Sequence, residues 1–542
     1  MASFQRDRVL GALTTTTYDL VVVGAGMTGA GVALDAASRG LRVALIDRGD
    51  IGSGTSSKSS KMVHGGLRYL QQREFRLVYE NLRERQRLLD NAPFLVRPLP
   101  FLVPLFGRNG VASKALVKGY STALRIYDVS GGWRIGQRHR RVTREQALSH
   151  LPTLNADHLV AGFLYFDARG DDARVALALA KTASLDFGAD VANYVRARDI
   201  THDASGNANA VVVQNELSDA PFTIATKAVV NATGVWADDL FTMAEHESSH
   251  RVTPAKGIHL SVPRDRLPAD VAAVFNVAGD RRSIFVVPFE EAPFTYVGTT
   301  DTAYTGDFAE PHCTPEDVAY LLDAVNASTS SALTTNDVTG LWAGLRPLLA
   351  PVEGKAVKER TADLSRRHRV TDSGDGVVHI TGGKWTTYRK MAEDTVDALR
   401  PYSKNLPRTK TKSLRLHGVG DWRPSTPLES HLYERFGEDA SVLLEMIGTD
   451  ESLAKCPIAG QPYVGAEFVF SVRHEMATSL VDLVTRRTRA HLHDARATLA
   501  AALSIAQLVA PELGWDATDV TSEVEAYRAL VHREFEAAGI AL

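Results

Sequence analysis

A chain of 542 residues is longer than one hydrophobic core serves, so two or three domains are expected. With 44% hydrophobic and 23% charged residues it has an ordinary globular composition, and its net charge of −3 gives no sign of a nucleic-acid binder. Two isolated cysteines, Cys313 and Cys456, exclude a disulfide framework and a cysteine-built metal site, and they suit a reducing compartment.

The N-terminal stretch lacks the apolar core of a secretory signal. No run approaches the roughly 20 apolar residues that span a bilayer, so any membrane contact is expected at the surface. Tyr18 to Val23 (YDLVVV) predicts a buried parallel strand. Gly24-Ala25-Gly26-Met27-Thr28-Gly29 follows, then a helical stretch to Gly40, then a second apolar strand, Leu41 to Ile46, ending in Asp47. This β-α-β unit is suited to a dinucleotide. Gly24 permits the turn, Gly26 lets the backbone approach a pyrophosphate, and Gly29 lets helix and strand pack closely. The helix N-terminus offers N–H groups to phosphate. Asp47 can accept from ribose hydroxyls.

Asn91 to Pro104 is punctuated by prolines and marks the exit from this segment. From Arg97 to Arg144 the charge is one-sided: Arg97, Arg108, Lys114, Lys118, Arg125, Arg134, Arg138, Arg140, Arg141 and Arg144 face one acid, Asp128. Phe101, Leu102, Leu105 and Phe106 are interleaved. Exposed, this mixture would suit an anionic membrane surface, at roughly 1 kcal/mol per basic residue; a solvated basic face explains it equally well. No groove-reading module is present, so no nucleic acid is expected.

Lys227 to Trp236 (KAVVNATGVW) predicts a strand running through Ala232-Thr233-Gly234 into a helix. It resembles the second fingerprint of FAD-binding families and separates FAD from NAD. Val252 to Thr300 contains several short strands; Ser283–Phe289 and Phe294–Thr299 form a hairpin whose far end delivers Asp301. Thr314–Asn326 predicts a helix. His379 to Lys390 (HITGGKWTTYRK) is again a strand, a glycine pair and a helix start. Its Gly-Gly-Lys lacks the partner glycine of a P-loop. Beyond about Lys410 the pattern is helical, over Ser441–Met446, Glu467–Ala490, Asp494–Leu508 and Val520–Ala538. The cluster Arg486-Arg487-Thr488-Arg489 reads as a solvated helix face, with a partner subunit or lipid as alternatives.

Six blocks in order carry a family resemblance: SSKSSKMVHGGLRYL (Ser56 to Leu70), GDDAR (Gly170 to Arg174), KGIH (Lys256 to His259), GTTD (Gly298 to Asp301), GLRPL (Gly344 to Leu348) and the Gly382–Lys390 block. Together they resemble the FAD-dependent, quinone-linked glycerol-3-phosphate dehydrogenases, within the D-amino-acid-oxidase-like flavoproteins. Ile258, Trp385 and Val235 depart from the family pattern, and changed packing around flavin or substrate is expected there.

The resemblance implies oxidation of sn-glycerol 3-phosphate to dihydroxyacetone phosphate, with electrons passed to a membrane quinone. It implies an α/β chain (α+β overall). A split Rossmann-like FAD-binding domain (1–90, 155–245 and 355–405) would join an antiparallel-sheet substrate-binding domain (91–154 and 246–354) and a helical C-terminal domain (410–542). The expected place is cytoplasmic, peripheral to the inner face of the cell membrane. A homodimer is the default for oligomeric state.

Arg68 and Arg346 are the expected phosphate clamps, since a guanidinium matches phosphate bidentately. Lys384 would hold a substrate oxygen or the flavin edge. His64, or less favourably His259, would take the hydroxyl proton. Tyr69, Lys256 and Asp301 complete the substrate set. The cofactor set is Gly24, Gly26, Met27, Thr28, Gly29, Asp47, Arg48, Thr55, Ser56, Ser57, Ser60, Lys61, Ala232, Thr233, Gly234, Gly382, Gly383, Lys384, Trp385 and Thr386; no metal is expected. A peroxide-producing oxidase, an amino-acid or amine oxidase and a non-catalytic flavin-binding protein stand as alternatives.

Overall fold

The computed structural model describes residues 4–67, 74–107, 114–244, 252–277, 282–349 and 367–542. Two sheets organise them. The first has six strands in the order His368–Asp372, Val377–Gly382, Val229–Asn231, Leu20–Val23, Val43–Ile46, Asp190–Ala192. Five run parallel, and His368–Asp372 is an antiparallel edge. Leu20–Val23 has Val43–Ile46 on one side and Val229–Asn231 on the other, so chain order reverses there. A ligand crevice is expected at such a switch point, beyond the strands' carboxyl ends.

The Met27–Ser38 helix packs on this sheet and is buried almost throughout. Helices Asp172–Leu185 and Tyr388–Ala398 cover it. Gly31 allows the close approach of Tyr388, whose ring carbon would lie 2.7 Å from a Cβ at that position. A three-stranded antiparallel sheet (Val195–His202, Ala208–Asn215, Ala220–Ala225) shares a separate apolar core with Leu13, Val21 and Val229.

The second sheet has ten strands, mostly antiparallel. Its spine runs Val252–Pro263, Phe294–Gly298, Ser283–Pro288, Ala272–Asn276, Val96–Phe106, Leu159–Gly170. Gly340–Leu349 pairs with Val252–Pro263 from Ser261↔Gly340 to Val252↔Leu349. Leu159–Gly170 and Met62–Val63 belong to this sheet, although both fall within the segments assigned from the sequence to the FAD domain. One face carries Phe101, Val103, Tyr165, Tyr296 and Trp342. The other, with Ile258, Leu260 and Val286, packs against helix Pro315–Asn326 and the C-terminal helices.

The sequence leaves the exposure of the Val96–Phe106 side chains open, and the fold decides it. Phe101, Leu102 and Leu105 are buried rather than exposed, and Phe106 is half-buried. The reason is pairing along the whole length of Leu159–Gly170, which leaves both faces covered. Arg97 is held by Glu434 at 2.6 Å; Arg108 lies outside the described residues.

The C-terminal helices are Pro427–Phe436, Ala440–Thr449, Gly465–Glu475, Ala495–Leu513 and Ala517–Ala537. The helix expected over Glu467–Ala490 is broken. It stops at Met476, in left-handed conformation with φ +56°, and resumes as short turns at Leu480–Asp482, Leu483–Arg487 and Ala490–His493. Arg487 takes up the freed end, donating Nη2 and Nε to the Glu475 carbonyl at 2.7 and 3.1 Å. The reading of Arg486–Arg489 as a solvated face is therefore wrong. Arg487 is 1% exposed and clamps Asp50 through Nη1 at 2.7 Å and Nη2 at 2.8 Å. Arg486 reaches Asp50 at 2.6 Å and also pairs with Asp482, and Arg489 pairs with Glu291 and, at 3.3 Å, Asp171. Arg486 and Arg487 pin the C-terminal helices onto the loop after Val43–Ile46 of the first sheet, and Arg489 pins them onto turns of the second. Attraction to the paired arginines holds Asp50 well below the usual carboxylate range despite its burial.

Candidate active site

A cavity of about 960 Å³ runs from the glycine turn after Leu20–Val23 to the face of the second sheet. At its first end the turn is shaped as a phosphate cradle. Gly24 has φ +104°, and a Cβ there would meet the Ala232 carbonyl oxygen at 2.6 Å. A Cβ at Gly29 would lie 1.7 Å from the Gly24 carbonyl oxygen, so strand and helix approach as only glycine allows. No side chain caps the helix at Gly26, and the Ser56 hydroxyl accepts from the Met27 N–H at 2.8 Å. Asp47 accepts from the Ala25 and Gly49 N–H groups at 2.6 and 2.9 Å. Burial pushes its carboxyl up to about 6, against those two donors. Arg48 stacks over Trp236 at 4.0 Å. A glycine cradle, a helix start without a side-chain cap and a buried acid together fit the pyrophosphate and ribose of a dinucleotide.

The walls are supplied by Thr28, Thr55, Ser56, Ser60, Ala232, Thr233 and Gly234, with Gly382, Gly383, Lys384, Trp385 and Thr386 from the strand–helix turn after Val377–Gly382. Gly382 and Gly383 both have positive φ, +74° and +84°, which turns the chain sharply before Lys384. Four residues of the expected sets do not line the cavity. Gly29 and Ser57 are buried behind it, Gly29 in the packing role assigned to it. Lys61 turns inward to Asp172 at 2.7 Å, and Lys256 bonds Asp317 at 2.5 Å on the far face of its strand. Both ammonium groups are paired with buried carboxylates, and neither lines the cavity. Arg68 and Tyr69 lie outside the described residues.

At the second end the sheet register sets the chemistry. Trp342, His259, Gly298 and Phe285 stand side by side on neighbouring strands. The His259 ring stacks on Trp342, centroids 4.7 Å apart and nearly parallel. Its Nε2 lies 2.8 Å from the Ser60 hydroxyl, and Gly298 leaves it room, since a Cβ there would strike Cδ2 at 2.0 Å. Burial, with Arg346 and Lys61 nearby, holds His259 well below the usual histidine range. Arg346 donates Nη2 to Thr299 Oγ1 at 3.1 Å and to the Thr300 carbonyl at 3.2 Å, and Asp301 lies 3.6 Å from Nη1. Arg346, Asp301, Lys384 and His64 all line the cavity. Of the departures noted in the sequence, Val235 and Trp385 touch the cavity, whereas Ile258 belongs to the core on the opposite face.

Sequence reasoning missed two groups. Lys58, in the same serine-rich block as Lys61, lines the cavity, and burial lowers its pKa. The apolar residues Leu67, Val103, Val274 and Phe285 form a further wall. Sheet register brings Val103, Val274 and Phe285 together from distant strands, and Leu67 joins them from the His64 block.

The family described as "FAD dependent oxidoreductase" (DAO) matches residues 19–389, and the "C-terminal domain of alpha-glycerophosphate oxidase" matches 378–520. The chain is 38% identical over 540 residues to "Glycerol-3-phosphate dehydrogenase 2" of Mycobacterium tuberculosis, covering 96% of this chain and 89% of that protein. It is 32% identical to the mitochondrial glycerol-3-phosphate dehydrogenase of Homo sapiens, over 96% of this chain and 74% of that one. Its fold is similar to the crystal structure of the glycerol-3-phosphate dehydrogenase from Bacillus halodurans complexed with FAD, with TM-score 0.78, 29% identity and 99% of each chain covered. The cradle, the second-sheet wall and these likenesses agree: the chain belongs to the FAD-dependent glycerol-3-phosphate dehydrogenase family.

Proposed function

We propose that this chain oxidises the C2 hydroxyl of sn-glycerol 3-phosphate to the ketone of dihydroxyacetone phosphate. The observation that carries the reading is one cavity in which Arg346, Lys384 and His64 face the same space as the glycine cradle. FAD, when bound along that cradle, supplies the acceptor for the hydride leaving C2.

The chain's own residues do the rest. Arg346 and Lys384 hold the phosphate dianion and the substrate oxygens. Thr299, the Thr300 carbonyl and Asp301 fix the guanidinium of Arg346. His64 Nδ1 or Nε2 takes the proton of the C2 hydroxyl. It is half-buried in the cavity wall, whereas His259 is stacked on Trp342, tied to Ser60 and shifted well below the usual histidine range. A ring that resists protonation makes a poor proton acceptor, so His259 serves as a positioning residue that fixes Ser60. H64A should lower kcat by about 10²–10⁴-fold. H259N, which keeps a hydrogen-bonding group near Ser60, should alter KM more than kcat.

The electrons pass to a membrane quinone. The chain approaches lipid through Phe75, Tyr79, Ile126, Val129 and Trp133 rather than through the buried residues near Phe101. All five are exposed, Val129 at 82% and Trp133 at 55%. Arg134 lies over both the Tyr79 and Trp133 rings, which places these together, and Arg125, Arg138, Arg140 and Arg141 are exposed nearby in sequence. Among the described residues no helix is long and apolar enough to cross a membrane. Basic and aromatic side chains together suit an anionic interface.

The test is an anaerobic flavin spectrum of the FAD-loaded protein. Saturating sn-glycerol 3-phosphate should bleach it, and glycine should not. An unchanged spectrum would refute the reading.

A further inference from the structure

The serine-rich segment 55–61 touches two separate parts of the site. The Ser56 hydroxyl accepts from the Met27 N–H of the cradle at 2.8 Å. The Ser60 hydroxyl lies 2.8 Å from His259 Nε2 on the second sheet. Both hydroxyls belong to one short stretch of chain, so whatever holds that stretch sets both contacts at once. Its backbone supplies little of the hold. Thr55–Ser57 forms a single tight turn, and the chain is irregular from there to Met62–Val63. Side chains must therefore do it.

Neighbouring elements fasten the rim of the segment. The Thr55 hydroxyl donates to the Leu345 carbonyl at 2.6 Å, Trp342 Nε1 to the Ser59 carbonyl at 3.3 Å, and the Tyr296 hydroxyl to the Ser60 carbonyl at 2.9 Å. Its centre is fastened by one ion pair. Lys61 is 2% exposed and Asp172 is fully buried. The Lys61 ammonium donates to Asp172 Oδ1 at 2.7 Å and turns back to the Ser57 carbonyl at 3.0 Å. Asp172 Oδ2 accepts from the Ser59 N–H at 3.0 Å. The cation thus grips the segment at Ser57 and its counter-ion grips it at Ser59, between the two working hydroxyls. Lys61 itself has φ +53°, a left-handed conformation that side-chain-bearing residues seldom adopt, so its surroundings dictate the backbone there. The other buried lysine pair is built differently: Lys256 bonds Asp317 and the His312 carbonyl, on the far face of its strand.

We propose that Lys61 and Asp172 form a positioning pair for the active site, fixing the segment so that Ser60 meets His259 while Ser56 meets the cradle. Lys61 does not line the cavity, so it acts through those two serines. Removing the ammonium would leave the Asp172 carboxylate buried without its counter-ion and would release the Ser57 carbonyl, and the segment would shift. The part of the proposal that concerns substrate rests on the dehydrogenase reading above; the part that concerns the cradle does not.

The experiment compares the FAD-loaded parent with FAD-loaded K61M. One readout is the rate of FAD release on dilution, followed by the rise of free-flavin fluorescence. The other is anaerobic flavin bleaching by sn-glycerol 3-phosphate, resolved into a half-saturating concentration and a limiting rate. In K61M release should speed up about tenfold and the half-saturating concentration should rise about tenfold, with the limiting rate within about threefold of the parent. A merely structural pair would lower the melting temperature and leave both readouts of the folded protein unchanged. Parent-like release and half-saturation in folded K61M therefore overturn the proposal, as does a change in only one of the two. If K61M does not fold, parent-like values in D172N overturn it. Failure of the parent to bleach would instead sink the dehydrogenase reading, and FAD release would still test the pair at the cradle.

Discussion

The cations of the cavity and the cations beneath the C-terminal helices stand in different settings. Arg487 is sealed against Asp50 by two hydrogen bonds and against the Glu475 carbonyl by two more. Arg174 meets Glu475 in the same bidentate manner, at 2.6 and 2.8 Å. Arg346, by contrast, lines the cavity, where it donates to Thr299 Oγ1 and the Thr300 carbonyl and lies 3.6 Å from Asp301. A guanidinium matched fully by carboxylates is a bolt. One that lines a cavity stands where an incoming anion can reach it.

The contrast breaks if the two kinds of arginine respond alike to removal. R487A leaves Asp50 buried with one of its two arginine partners gone and should cost about 3–5 kcal/mol of stability, measured by denaturant unfolding. R346A should change stability by less than about 1 kcal/mol, because its site is half-exposed to the cavity. Its cost falls on turnover instead: kcat/KM for sn-glycerol 3-phosphate should drop about 10²–10³-fold, with R346K recovering only part. Comparable losses of stability in both variants would erase the distinction.

How much of this could be read from the sequence follows the range of the interactions. Gly24, Gly26, Gly29 and Asp47 act within one turn and its flanking elements, so spacing alone predicts their cradle. The His64, Arg346 and Lys384 blocks were legible through resemblance, and the fold brings those side chains to one cavity. The inward lysines were not legible. Lys61 finds Asp172 at a separation of 111 residues, and no local pattern announces a carboxylate so far away. The Arg487–Asp50 clamp spans 437 residues. From sequence alone its arginine cluster looks the same as a solvated helix face. Likewise the apolar run near Phe101 could have been buried or lipid-facing, and only its pairing with Leu159–Gly170 decides.

Smaller effects sharpen the same contrast. G29A forces a methyl group against the Gly24 carbonyl and should cost about 1–3 kcal/mol together with loss of bound FAD, read by flavin content after gel filtration. His417 offers the gentlest probe of the C-terminal junction. It bonds Asp186 and Asp439, and these carboxylates raise its pKa from 6.5 to about 9. Because the folded value lies above the unfolded one, its contribution is complete below about 6.5 and is lost as pH rises through about 9. H417Q should therefore melt below the parent at pH 6, and the two should converge above pH 9. A gap that widens with pH would contradict this linkage.

The central claim is that the cavity cations recognise phosphate on an alcohol that reduces the flavin. Anaerobic stopped-flow reduction of the FAD-loaded protein measures it directly, comparing sn-glycerol 3-phosphate with glycerol in the parent and in R346A. The account predicts fast bleaching by the phosphate ester, far slower bleaching by glycerol, and a gap that narrows at least tenfold in R346A. Equal bleaching by both alcohols in the parent, or an unchanged gap in R346A, would contradict it.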